Sequence, residues 1–252
     1  MVPLATLAAA LAAPAEVNEW LLTALRGICA QRPSHTIFVG GQPLALEARM
    51  FGIFVGFGGT VLLGWTDDGW RRTELPRGRV LVILLIGFAF LALDGVNATL
   101  SDRALPYLYA PSSEPRLISG LWGGMALAAL SMPVMSTLFW RRGIRVARPL
   151  FARWQELARP ALGLAIVAAA ATFGAGNATW LSLLAALSVL GSFALVNAYA
   201  VVLFWQGPTQ AQRWSDLSWA TACGLSLAIA ELVGLAALRA WAEATLGLTW
   251  GF

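Results

Sequence analysis

The sequence predicts an all-α protein: a polytopic helical membrane bundle of about six transmembrane helices, preceded by an N-terminal interfacial helix. Three observations predict it. Of 252 residues, 58% are apolar and only 12% charged, against roughly 25% charged in soluble domains. Apolar runs near the ~20 residues needed to cross a ~30 Å hydrocarbon core recur along the chain, which points to helices and not to a barrel. Trp65, Trp140, Trp180, Trp205 and Trp241 fall near the ends of those runs, where an aromatic belt would stand.

Taken in order, residues 1–13 are apolar but short for a span and lack a basic flank; they read as an interfacial or re-entrant segment, an uncleaved signal-like element being the other reading. Pro14 breaks this segment. Residues 16–28 then read as an amphipathic helix lying along the interface, with Trp20, Leu21, Leu25 and Ile28 on one side. The Pro and Gly content of residues 29–46, with Gly40 and Gly41 adjacent, marks a structured loop. Six spans follow, over about 48–65, 80–100, 116–140, 160–176, 181–205 and 217–241. Gly52, Gly56 and Gly59 in the first are spaced for close helix contact, and Pro133 should bend the third.

Orientation follows from charge. All 17 basic residues are arginine, and 11 of them lie in the loops after the first, third and fifth spans against 6 elsewhere. Those three loops are therefore expected in the cytoplasm, and loops 29–46 and 101–115 face outward together. The net charge of +4 is explained by this topology, so nucleic acid is not an expected partner. Cys29 and Cys223 are the only cysteines; one sits in a loop and the other inside a span, so no disulfide joins them.

The orientation gathers Arg49, Asp94 and Arg116 on the outer half of the bundle. At ~1.5 Å per residue, Asp94 lies roughly 22 Å from the inner surface, about two thirds of the way across. A lone carboxylate there is costly, so it should pair with Arg116 or Arg49, or face a wet cavity. One reading is a structural ion pair that fixes helix register; the other is a polar ligand pocket, joined by Glu231 if that residue, at similar depth in the sixth span, faces Asp94. Asn97, Asn177 and Asn197 are expected to serve as interhelical hydrogen-bond glue.

The segment Cys-Ala-Gln-Arg-Pro-Ser-His from Cys29 and Glu-Ala-Arg-Met-Phe-Gly-Ile from Glu47, followed by Leu-Asp-Gly-Val-Asn from Leu93 and Ser-Glu-Pro-Arg-Leu-Ile-Ser-Gly from Ser113, resembles the bacterial membrane family filed as domain of unknown function 2085, over about residues 20–140. The resemblance places Asp94, Gly95, Arg116 and Gly120 at family positions. It also implies a Cys-His and Cys-x-Arg-Cys set suited to zinc, haem attachment or a disulfide; this chain keeps Cys29 but has Ala30, Glu47 and Met50 at the other three, so that role is expected to be lost. A replacement metal site from Cys29, His35 and Glu47 is the alternative to an ordered outer cap. The chain then divides into an interfacial helix and outer loop (1–47), a three-helix family-like core (48–140), an Arg-rich cytoplasmic linker (141–159) and a three-helix C-terminal extension (160–252).

No Asp-rich pair, Ser-His-Asp set or His cluster identifies a reaction. The expected function is that of an accessory or structural subunit of a larger membrane complex in a bacterial inner membrane. It would contact lipid and protein partners; no cofactor is expected, although a bound lipid, quinone or pigment fits the same reading. The alternative is a small proton- or ion-linked transporter using Asp94, Arg116 and Glu231.

Overall fold

The computed structural model describes residues 14–64, 68–174, 176–206 and 211–247. The expected segment 1–13 and Trp65 lie outside the described residues, as does the side chain of Trp205. The described residues contain seven α-helices: α1 (Pro14–Leu25), α2 (Ala48–Gly64), α3 (Gly78–Asp102), α4 (Ser113–Phe139), α5 (Ala158–Thr172), α6 (Ala178–Val201) and α7 (Ser218–Leu246). The all-α membrane reading stands, and each expected span is a helix. Gly78–Asp102, Ser113–Phe139, Ala178–Phe204 and Trp214–Leu246 are long and apolar enough to cross a bilayer. The first and fourth expected spans are shorter, at 17 residues for α2 and 15 for α5, about 26 Å and 22 Å of helix.

The centre is the crossing of α2 with α4, which is made by glycine. A Cβ on Gly52 would stand 2.6 Å from the carbonyl oxygen of Leu117, and Cβ atoms on Gly56, Gly120 and Gly124 would run into the backbone of Leu121, Arg49 and Ile53. Small residues on both helices thus let the two backbones touch, as apolar surroundings demand when association rests on close packing. The expectation for Gly52 and Gly56 holds, whereas Gly59 meets only the end of the Leu164 side chain at 3.5 Å. Pro133 lies within α4 without ending it. In the most apolar stretch of each span, 67% of α4 is buried, against 28% of α3, 17% of α6 and 11% of α7, so α4 is the hub and the last two helices lie outermost.

Both ends of the core are closed by short strands that the helical pattern did not reveal. At one end, the expected loop 29–46 contains an antiparallel hairpin of β1 (Thr36–Val39) and β2 (Gln42–Glu47). Gly40 and Gly41 form its turn with φ of 58° and 80°, the doubly left-handed geometry that glycine supplies without strain. Leu44, Ala45 and Leu46 are fully buried beneath it. The expected interfacial helix is α1, but Trp20 is 69% exposed while Leu21 and Leu25 are buried, so Trp20 is not on their face. Asn18 of α1 donates to the Pro43 carbonyl at 2.9 Å, and Gln31 donates to the carbonyls of Leu22 and Ala45 at 2.8 and 2.9 Å.

At the other end, β3 (Arg72–Glu74) pairs in parallel with β4 (Val146–Pro149). The arginine-bearing loops meet here around tryptophan: Trp214 lies edge-on to Trp70 and Trp140, at 5.5 and 4.7 Å between centroids, and the Arg71 guanidinium stands 5.6 Å over Trp140. Trp140 is fully buried, which corrects its assignment to an aromatic belt: the Arg71 cation and the Trp214 indole pack against it. Trp180 and Trp241 are exposed, as belt residues would be.

Candidate functional site

Three helices and one loop converge on Asp94, which is fully buried. Of its two expected partners, Arg49 is the one that holds it. Arg49 Nε donates to Asp94 Oδ2 at 3.0 Å and Nη2 donates to the Asp94 main-chain carbonyl at 3.0 Å, with Nη2 also on Oδ2. The other carboxylate oxygen accepts from the Tyr109 hydroxyl at 2.6 Å, and Ser119 Oγ lies 3.3 Å from Oδ2. Burial and the hydrogen bond to Asp94 push the Tyr109 hydroxyl up to about 12: removing its proton would place a second anion beside the carboxylate.

Asn97, one turn along α3, accepts from the backbone N–H of Leu108 at 2.7 Å and donates to the Tyr109 carbonyl at 2.9 Å. It is therefore a loop clamp that seats Tyr109, not interhelical glue. Asn177 likewise caps the start of α6 by accepting from Thr179 N at 2.9 Å; among the three asparagines, Asn197 alone bridges two helices, donating to Glu231 at 2.8 Å.

Arg116 is buried beside this cluster but turned toward the hairpin. Nη1 donates to the Ser34 carbonyl at 3.2 Å and Nη2 lies 3.3 Å from His35 Nε2, while its buried Nε has no partner. His35 is enclosed on both ring edges: Nε2 also lies 3.2 Å from Asp102 Oδ1, and Nδ1 lies 3.5 Å from Glu47 Oε2. A neutral ring can accept from Arg116 at Nε2; a protonated ring turns Nε2–H to Asp102 instead. Burial, with the Arg116 and Arg32 guanidiniums beside it, holds the imidazole below its ordinary value, so the arrangement favours the neutral ring. Arg32 closes the set by donating to Glu47 Oε1 from Nε at 3.2 Å and to Asp102 Oδ2 from Nη1 at 2.9 Å. This network fastens loop 101–115 to the hairpin, so the two loops expected to lie together do share one end of the bundle.

The trio Cys29, His35 and Glu47 does not form a metal centre. Cys29 Sγ accepts from the Glu47 backbone N–H at 3.3 Å, and the Glu47 carboxylate is turned to Arg32 and His35. Among the described residues no group of three or more His, Cys, Asp or Glu side chains could hold a metal ion. Burial pushes the Cys29 thiol up, away from the thiolate that metal ligation needs.

Glu231 does not join Asp94, and this corrects its place in the expected site. It is exposed on α7, hydrogen-bonded to Asn197, and lines a groove of 760 Å³ whose wall does not include Asp94. A further cluster went unforeseen at the hairpin end. Arg239 near the end of α7 donates to the carbonyls of Arg26 and Cys29 at 2.6 and 2.5 Å, and Glu243 pairs with both Arg26 and Arg239. The i, i+4 spacing of Arg239 and Glu243 was the one sequence signal for it.

Residues 29–130 match the family model described as predicted membrane protein (DUF2085). No curated protein and no solved structure matches the chain. The matched segment contains the hairpin, α2, α3 and most of α4, and it carries every residue of the Arg49, Asp94 and Arg116 cluster. Over that segment the chain is similar to this family of predicted membrane proteins.

Proposed function

We propose that the chain is an accessory or structural integral-membrane subunit of a larger membrane complex, without catalysis of its own. The observation that carries this reading is the contrast in burial between α4 and the two outermost helices: α6 and α7 leave more than four fifths of their most apolar stretches uncovered. Large side chains such as Trp219, Ile229, Val233 and Leu238 stand exposed along α7. The Asp94 cluster supports the same reading, since its carboxylate oxygens are taken by groups of this chain and act as a clasp. In this reading the membrane is a bacterial inner membrane with the arginine-rich loops in the cytoplasm and the hairpin outside. Residues 48–140 form the family-like core, residues 160–252 form the partner-facing extension, and bound lipid, quinone or pigment belongs on the extension.

Gentle extraction of the tagged full chain from its native membrane, followed by mass measurement of the intact particle, tests this. A stoichiometric protein partner is expected. A chain carrying lipid alone would sink the proposal.

A small proton- or ion-linked transporter using Asp94, Arg116 and Glu231 is the second reading, favoured by the exposed Glu231 carboxyl midway along α7. Against it, Asp94 is not in the wall of the groove that Glu231 lines. Flux in proteoliposomes that is abolished by Glu231→Gln would favour this reading.

A further inference from the structure

Glu231 stands in an unusual setting for a carboxyl group. It occupies the middle of α7, which runs from Ser218 to Leu246, and Asn197 is its hydrogen-bond partner. Among the described residues no arginine pairs with it. An ionisable group at that depth normally faces a counter-charge or a functional cavity, and Glu231 faces a cavity. The groove between α2, α4, α6 and α7 measures 760 Å³, inside the roughly 300–1,000 Å³ range of small-molecule sites. Phe54, Phe57 and Phe193 line it, the first and last with ring centroids 6.2 Å apart. Apart from Glu231, its polar side chains are Asn197 and Ser192, and Ser192 already donates to the Ser188 carbonyl at 2.6 Å.

We propose that this groove binds a lipophilic organic cation, with its apolar body against the phenylalanines and its positive centre at the Glu231 carboxylate. Charge complementarity selects the class. An apolar pocket with a single acidic handle and no basic one repels anions, gives a neutral hydrocarbon no reason to prefer it over lipid, and offers a cation both a counter-ion and aromatic faces. Size selects a small molecule over a helix of another protein. Phe193 and Asn197 are one turn apart on α6, as are Glu231 and Leu235 on α7, so the lined height is only about one to two turns, or roughly 5–10 Å. A spanning partner helix would line ~30 Å. Asn197 is a positioning residue here: its amide fixes one carboxylate oxygen and leaves the other directed to the occupant. The site is independent of the Asp94 cluster and of the accessory-subunit reading.

The test is equilibrium binding of tritiated tetraphenylphosphonium to the full chain in nanodiscs of zwitterionic lipid, with empty discs as the blank. Saturable binding at one site per chain is expected, weakened by about tenfold or more in Glu231→Gln, where the charge is lost and the shape kept. Leu235→Trp, which fills the groove and keeps the carboxylate, should also remove binding. Tyr109→Phe, far from the groove, should leave it unchanged. Size-exclusion profiles certify that each variant is folded, and failure of Glu231→Gln to fold passes the decision to Leu235→Trp. The proposal is overturned if binding equals that of empty discs, if Glu231→Gln binds as well as the parent, if neutral tetraphenylsilane competes as effectively as the cation, or if crosslinking from position 193 in native membranes captures a partner helix seated in the groove.

Discussion

Asp94 and Glu231 are two carboxyl groups within long apolar helices, and the chain treats them in opposite ways. Asp94 is sealed: a guanidinium, a phenol and a serine hydroxyl surround it, and two of these come from other helices. Glu231 is left open, with one amide on it and a groove beside it. The difference follows from what packs around each. Asp94 lies on α3 where the glycine-mediated approach of α2 to α4 brings Arg49 and Ser119 within reach, whereas α7 lies at the edge, packed chiefly against α6 and, at the hairpin end, against α1 and the segment that follows it. A sealed charge stabilises the fold and an open one is available for an encounter, so depth in a membrane does not by itself distinguish structure from function; the count of partners does.

Removing each carboxylate should break or sharpen that contrast most. Asp94→Ala leaves the Arg49 cation uncompensated and should destabilise by about 3–5 kcal/mol, the usual cost of removing one partner of a buried pair. Folded yield in detergent should fall further than for any substitution in the outer loops, while Glu231→Ala stays near the parent yield. A larger loss for Glu231→Ala would reverse the comparison. Next in size is the seam that makes the sealing possible. Gly56→Val drives a side chain into the Leu121 backbone and should cost about 3 kcal/mol, whereas Gly234→Val on the open groove, with nothing within 4 Å of its Cβ position, should be nearly silent in thermal melts.

Tyr109→Phe deletes one hydrogen bond to a charged acceptor and should cost about 1.5 kcal/mol. In the parent, the phenol is neutral when folded up to about 12 but ionises near 10 when unfolded. Stability therefore falls as pH rises between those values, and the Phe variant should lose that component of the slope. The smallest effect belongs to His35. Its folded value is lowered, so the unfolded chain takes up a proton first as pH falls below about 6.5. The stability it contributes is present above that pH and is lost as pH falls through the folded value. Melting profiles of His35→Asn across pH 7 to 5 should be flatter than those of the parent.

Much of this was legible in the sequence, for one reason. Hydrocarbon makes charge conspicuous, so the helices and the Arg49, Asp94 and Arg116 gathering followed from run lengths and from the cost of unpaired ions. Tyr109 was not legible: a phenol in a polar loop carries no periodicity, and only the fold back onto Asn97 brings it to Asp94. Ser119 could have been found, because it lies three residues after Arg116 on the same helix face. The hairpin could also have been found, since adjacent glycines directly after Thr36–Val39, a run of β-formers, are a turn signal; the surrounding helical expectation overrode it. Trp140 was misread because position along a span fixes depth but not whether a ring turns outward to lipid or inward to other rings. Glu231 was misjudged for a related reason, as equal depth on two helices says nothing about which faces oppose.

The parallel pairing of β3 with β4 has a consequence for how the molecule is made. β3 precedes α3 in the chain, and its partner strand begins only at Val146, after α4 is complete. During synthesis, then, the hairpin end can latch as soon as Arg116 emerges, while the arginine-bearing end waits some thirty residues longer for its closing strand. A nascent chain halted in between is a wedge pinned at its apex and gaping at its base, and insertion intermediates trapped there should expose Trp70 and the β3 edge to quenchers that the finished protein excludes.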